Sequence, residues 1–191
     1  MIDKLVQHHT ILGIDPGTNF MGWGLLQTAG SKAELIDMGV LELHKIESHY
    51  ERLQKIFFFI IELIDRYQPT EFAIETQFVD KNVQTMLKLA HGQGVAIAAA
   101  LSKDLPINEY SPLKVKMAIT GNGHAVKEQV AAMLQRFLKI PAEQMPKKFD
   151  ATDAVAIAYC HYLQLGSPLS ADTKYKSWAD YAKRNSQKIH S

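Results

Sequence analysis

Apolar and polar positions along the chain predict short strands that alternate with amphipathic helices. Apolar runs at residues 11–14 and 21–26 flank a Pro-Gly turn and predict two antiparallel strands. The alternation over residues 33–43 predicts a third strand next to them. Two further short strands are predicted at residues 71–75 and 106–110, so the chain has enough strands for one sheet.

Helical spacing of apolar residues marks five other segments. These are residues 50–67, 83–103, 113–120, 126–138 and 150–165. The second segment carries Gly92 and Gly94 in its interior, where each glycine costs about 1 kcal/mol relative to alanine. We therefore expect another backbone to approach it closely, either in a helix–sheet contact or in a subunit interface.

The length and composition favour a single domain with one well-buried core. The chain has 191 residues, of which 47% are hydrophobic. We assign residues 11–165 to this domain, residues 1–10 to an N-terminal arm, and residues 166–191 to a basic, partly ordered tail. The apolar runs are too short for a membrane span and the N-terminus lacks a signal-peptide core, which predicts a cytoplasmic protein without a membrane partner. The single cysteine, Cys160, excludes an internal disulfide and a Cys-rich zinc site, and its apolar neighbours predict a buried thiol.

The net charge of +1 conceals an uneven distribution along the chain. Residues 114–148 hold seven Lys or Arg against two Glu, and residues 172–191 hold five against two acids. The remainder is therefore acidic. This asymmetry suits a protein that binds a polyanion with one region and a metal with another, although a solvated helix face gives a similar pattern.

Four acidic residues occupy positions that are otherwise apolar. Asp15 and Glu75 each end an apolar strand, and Asp150 and Asp153 share one face of the last helix, among Ala, Val and Ile. Structural explanations exist for three of them: Asp15 as a turn cap, Glu75 as a solvated strand end, and Asp150 at the positive end of its helix. Asp153 is harder to explain, because it begins the apolar face.

A metal site would account for all four acids together. If the last helix packs on the sheet near Asp15, the carboxylates converge, and divalent cations would relieve their repulsion. A site made only of oxygen ligands, without a Cys or His pair, favours Mg²⁺ or Mn²⁺ over zinc. Two such ions form the clamp that is used in phosphodiester hydrolysis.

Several separated motifs resemble one known family. They are GIDPGT with the glycine-containing strand after it, FAIE followed by QF and KN, KLAHGQGVAI, and DATDAVAIA. In this order, over residues 11–161, they resemble the RuvC family of bacterial Holliday junction resolvases. The resemblance implies an α/β, RNase H-like fold, with a five-stranded mixed sheet flanked by helices. It also implies an endodeoxyribonuclease, a hydrolase that acts in DNA recombination and repair, and that nicks two opposed strands of a four-way DNA junction as a homodimer.

The resemblance assigns roles to individual residues and partners. Two Mg²⁺ ions per site, replaceable by Mn²⁺, would be bound by Asp15, Glu75, Asp150 and Asp153. Phe78 matches a loop aromatic near the opened junction, where it would stack on a base. Basic residues near the scissile phosphate would contact DNA, and Lys127 would also assist catalysis; the DNA-contacting set is Lys114, Lys116, His124 and Lys127. The branch-migration helicase complex of RuvA and RuvB is a further implied partner.

Two other readings use the same residues. The sugar-kinase and actin-like ATPases share this sheet and an Asp-x-Gly-Thr turn, here DPGT, but they need two lobes to enclose ATP, and 191 residues hold only one. A non-catalytic junction-binding module is the second alternative, against which the four intact acids argue.

Overall fold

Five strands form one mixed sheet in the computed structural model, which describes residues 8–76, 83–146 and 148–165. The strands are β1 (His8–Asp15), β2 (Phe20–Ala29), β3 (Lys32–Glu42), β4 (Glu71–Glu75) and β5 (Ile107–Tyr110). Their spatial order is β3-β2-β1-β4-β5, with β1, β2 and β3 antiparallel and with β4 parallel to both β1 and β5. The predicted five-stranded mixed sheet is confirmed. Its first strand begins at His8, so residues 8–10 belong to the sheet and not to the predicted arm.

Helices cover both faces of the sheet. They are α1 (His49–Tyr67), α2 (Val83–Leu101), α3 (Pro112–Thr120), α4 (Lys127–Leu138) and α5 (Phe149–Leu165). One apolar core joins α1 and α2 to one face of the sheet, and a second core joins α3, α4 and α5 to the other face. A short 3₁₀ turn at Ala142–Gln144 lies between α4 and α5. Cys160 is fully buried, as predicted.

The described helices include none with the length and hydropathy that crossing a bilayer requires.

Three glycines let α5 lie directly on the sheet. A Cβ atom built on Gly13 would be 2.3 Å from the carbonyl oxygen of Ala154, and one on Gly22 would be 1.9 Å from that of Asp150. A Cβ atom on Gly24 would be 2.5 Å from a methyl carbon of Val155. Side chains at these positions of β1 and β2 would push the helix away. The N-terminal half of α5, which carries two of the predicted metal ligands, therefore rests on bare backbone.

The predicted close approach at Gly92 and Gly94 is not found within the described part of the chain. A Cβ atom on Gly92 would lie 3.5 Å from Cδ1 of Ile56, an ordinary van der Waals contact, and one on Gly94 would meet nothing within 4 Å. The helix packs mainly on α1, through side chains, and has fewer contacts with the sheet, at β5. The sheet explanation for these glycines is therefore wrong.

Candidate active site

Three of the four predicted acids line one pocket at the end of the sheet. Because β1 and β4 are parallel, with Ile14 paired to Ile74, the residues that follow them, Asp15 and Glu75, lie side by side at the same edge. Asp153, on α5, faces them across the pocket. We call this cavity of about 160 Å³ the carboxylate pocket.

Asp150 lies one helical turn before Asp153 and outside the lining of the pocket. Its charge nevertheless acts on its neighbours, because it raises the pKa of both Asp15 and Asp153. Gly22, which is paired with Asp15 across β1 and β2, lies under the Asp150 backbone. The contact between β2 and α5 thus sets the spacing between Asp15 and Asp150.

Burial and mutual repulsion make the carboxylates hard to ionise together. Burial raises the pKa of Asp15 well above its usual range, and the charges of Glu75 and Asp153 raise it further. The pKa of Glu75 rises from 4.5 to about 7, mainly through burial and then through Asp153. In the absence of a cation, burial and repulsion therefore raise the pKa of all three lining carboxyl groups above the usual value.

Lys127 partly offsets this repulsion. It begins α4, and its ammonium group donates a hydrogen bond to Oδ2 of Asp153. Burial alone would lower the pKa of Lys127, but the bond to Asp153 and its charge outweigh burial and raise that pKa. Burial also raises the pKa of Asp153 in spite of this ion pair. One lysine therefore does not compensate the whole carboxylate cluster.

The chemistry of the donors fits hard divalent cations. All the acidic groups offer oxygen, and their desolvated charges need a positive partner. Among the residues that the structure describes, no group of three His, Cys, Asp or Glu side chains forms a ready ligand shell. The carboxylate pocket is instead open, with its acids side by side and one of them paired with Lys127.

The predicted DNA-contacting residues take different positions. Lys116 lines the carboxylate pocket with Lys127. Lys114 lies outside it, with its ammonium group 4.9 Å from the centre of the Tyr110 ring. His124, also outside the lining, donates its backbone N–H to Oδ1 of Asn122. Phe78 lies outside the described residues, so its stacking role stays a prediction.

A buried polar network that the sequence did not reveal attaches the C-terminal half of α5 to the sheet. His161, 3% exposed, lies 2.6 Å from the Tyr110 hydroxyl through Nδ1 and 3.3 Å from Glu71 through Nε2. A carboxylate only accepts, so Nε2 donates to Glu71 and Nδ1 accepts from Tyr110. Burial lowers the pKa of His161 and raises that of Tyr110 to about 12. A histidine on the apolar face of α5 was the one available signal in the sequence.

The raised pKa of Glu75 predicts that the metal-free protein loses stability as pH rises. Between 4.5 and about 7 the folded state holds a proton that the unfolded state has released, so the free energy of unfolding falls with pH. We expect the melting temperature in EDTA to decrease from about pH 5 to about pH 8, and Mg²⁺ to restore it at the higher pH.

Paired variants separate Glu75 from other groups that titrate in this range. Glu75→Gln should flatten the decrease in melting temperature, whereas Glu62→Gln, at an exposed position of α1, should leave it unchanged. A decrease of equal size in the Glu75→Gln variant would contradict the prediction.

The family model and the most similar relatives that we compared point to the same protein family. The family model described as crossover junction endodeoxyribonuclease RuvC matches residues 11–161. Proteins of that name from Bacteroides fragilis and Porphyromonas gingivalis are each 52% identical to this chain. The first match covers 96% of this chain and 97% of the relative, and the second covers 94% and 96%.

Solved structures with a similar fold belong to Holliday junction resolvases as well. Thermus thermophilus RuvC, in complex with a Holliday junction substrate, superposes with a TM-score of 0.77 and 32% identity over 83% of this chain and 96% of that one. The yeast mitochondrial Holliday junction resolvase has the same fold, with a TM-score of 0.63 at 15% identity over 83% of this chain and 79% of that one. The predicted family and RNase H-like fold are confirmed.

Proposed function

The chain belongs to the RuvC family of crossover junction endodeoxyribonucleases, and we propose that it hydrolyses four-way DNA junctions in its carboxylate pocket, with two bound Mg²⁺ ions. The family is one of metal-dependent nucleases that resolve Holliday junctions in recombination and repair. The observation that supports this site most strongly is the set of acids at the pocket: Asp15, Glu75 and Asp153 as its lining, and Asp150 one turn away.

In this proposal the four acids hold the cations, and Mn²⁺ can replace Mg²⁺ because both prefer oxygen ligands. The bound cations would activate water and stabilise the leaving oxygen of the phosphodiester. Asp15 is the central ligand, since its carboxylate is coupled to all three other acids. The packing of α5 on the sheet would hold the carboxylate oxygens in place before the substrate binds. Such preorganisation is what electrostatic catalysis requires.

Lys127 and Lys116 bring positive charge to the same pocket. Lys127 is half exposed and paired with Asp153, so its ammonium group can approach a phosphate and offset charge in the transition state. Lys116 lines the pocket and lowers the pKa of both Glu75 and Asp153. Contacts of Lys114, His124 and Phe78 with DNA remain part of the proposal. The two basic residues would contact phosphates, which positions the junction without reading its sequence, and Phe78 would stack on a base.

A homodimer is proposed through the exposed stripe of α2. Val83, Leu87, Gly94 and Leu101 follow one another at spacings of four and seven, which places them on one side of the helix. Val83, Leu87 and Leu101 are between 47% and 58% exposed, and Gly94 has open space above it. A second copy could approach closely at the glycine and bury the three apolar side chains.

Two further parts of the proposal rest on family membership alone. They are a cytoplasmic location and an interaction with the RuvA and RuvB helicase complex.

Cleavage of a synthetic four-way junction tests the proposal. With Mg²⁺ or Mn²⁺, the protein should place paired nicks in two opposed strands, and EDTA should abolish them; nicks mapped at nucleotide resolution would show the symmetry. A matched linear duplex is the control substrate. Absence of cleavage with either cation, or ATP hydrolysis instead, would contradict the proposal. Sedimentation of the same preparation at micromolar concentration should give a dimer.

A further inference from the structure

A second group of basic side chains lies near the turn that follows Asp15, on the opposite face of the sheet from the carboxylate pocket. Gly17 and Thr18 form one edge of a shallow groove, and α1 and α2 supply His49, Arg52 and Lys88. No acidic residue is among the described residues that line it. We call it the basic groove.

Arg52 is held rigidly at this groove. Its Nε donates to the carbonyl oxygen of Ile46 at 2.6 Å, and its Nη1 donates to that of Thr18 at 2.9 Å and to Oδ1 of Asn19 at 3.2 Å. Within the described part of the chain, Nη2 has no such partner and Arg52 has no ion pair. A fixed guanidinium edge with two spare donors is a preorganised receptor for an oxyanion.

The neighbouring groups make the groove electrostatically positive. His49 Nε2 lies 3.2 Å from His91 Nδ1. Burial lowers the pKa of His49, and the charges of His91, Lys88 and Arg52 lower it further. Among the described ion pairs none involves Lys88. An anion placed here would thus meet several donors and, among the described residues that line the groove, no competing carboxylate.

We propose that the basic groove binds a backbone phosphate of the DNA strand that enters the carboxylate pocket, close to the phosphate that is cleaved. This inference rests on the proposed function. Gly17 follows Asp15 by two residues, which corresponds to at most about 7 Å of chain. Because Asp15 lines the carboxylate pocket and Gly17 lines the groove, the near edges of the two sites are within reach of neighbouring phosphates of one strand. The turn at residues 16–18 would therefore lie between two phosphates of the bound strand.

Junction affinity of the Lys88→Gln variant tests the groove. In EDTA, where the strands stay intact, the variant should bind the junction about tenfold more weakly, because one charge-assisted phosphate contact is lost. The slope of log affinity against log salt should decrease by about 0.9. Lys55→Gln, an exposed lysine on α1 outside the groove, should behave as the unmodified protein.

The position of the contact is tested with single methylphosphonates, which remove one phosphate charge at a time. With the unmodified protein, neutralising one phosphate within about two nucleotides of the cleavage point should weaken binding, and in Lys88→Gln that same substitution should have no further effect. An equal effect in both proteins at every position would overturn the proposal. So would ring NMR signals of His49 and His91 that shift with inorganic phosphate but not with the junction, because the groove would then hold a small anion only.

Failure of this inference is distinguishable from failure of the proposed function. If the protein cleaves junctions but Lys88→Gln binds like Lys55→Gln, the groove is not a phosphate site and the nuclease assignment stands. If cleavage fails while the methylphosphonate effect at one position depends on Lys88, the groove stands and the assigned chemistry does not.

Discussion

Asp15→Asn is expected to lower the rate of junction cleavage by about 10³-fold or more, while junction binding survives. The amide removes the charge of the acid that is electrostatically coupled to the other three, so the cations would bind weakly and out of position. The phosphate contacts proposed for lysines lie elsewhere in the site and stay intact. Single-turnover cleavage with Mg²⁺ and binding in EDTA measure the two effects separately.

The same substitution should stabilise the protein in the absence of metal. Asp15 is partly buried among like charges, and neutralising it removes that repulsion, so Asp15→Asn should melt at a higher temperature than the unmodified protein at about pH 8 in EDTA. The stabilisation that Mg²⁺ gives should shrink in the variant. Asp104→Asn is the control, because Asp104 is exposed and its φ of 58° suits asparagine. Unchanged cleavage by Asp15→Asn would remove Asp15 from the set of ligands.

The strands and their terminal acids could be predicted because the signals are local. An apolar run that ends in Asp15 or Glu75 is visible within a few residues, and the period of two separates strands from helices. That these two acids lie side by side depends on the parallel pairing of β1 with β4, which are separated in sequence by β2, β3 and α1. The hydrophobic period does not contain that information, so only the family resemblance and the structure supply it.

Glycines show where local reasoning was insufficient. Gly92 and Gly94 lie in a helix, where their cost is evident, yet neither meets another backbone within the described chain. Gly13 and Gly22, in strands, are the ones that a helix backbone approaches. The sequence does not show whether the space beside a glycine is filled by another helix or by water. Only the tertiary contacts distinguish the two cases. The basic groove was missed for a similar reason, since Arg52 and Lys88 are far apart in sequence and each resembles an ordinary exposed cation.

Gly22→Ala is expected to reduce both stability and cleavage, because it acts on the spacing between Asp15 and Asp150. The new Cβ atom would be 1.9 Å from the Asp150 carbonyl oxygen and 2.5 Å from its carbon. These are backbone atoms that no rotamer change can move, so the start of α5 must shift away from β2. Overpacking of this kind costs about 1–3 kcal/mol, which lowers the melting temperature by roughly 2–4 °C per kcal/mol for a chain of this size.

The loss of activity in Gly22→Ala should exceed what its stability explains. A displacement of about 1 Å at a catalytic group costs roughly 10²-fold in rate, and we expect that loss at temperatures well below the melting point of the variant, partly rescued by higher Mg²⁺. Gly92→Ala is the matched control for stability: its Cβ atom makes only an ordinary contact with Ile56, and the helix should gain about 0.5–1 kcal/mol. If Gly22→Ala instead melted and cleaved as the unmodified protein does, α5 would not rest on β2, and the sheet would not set the position of Asp150.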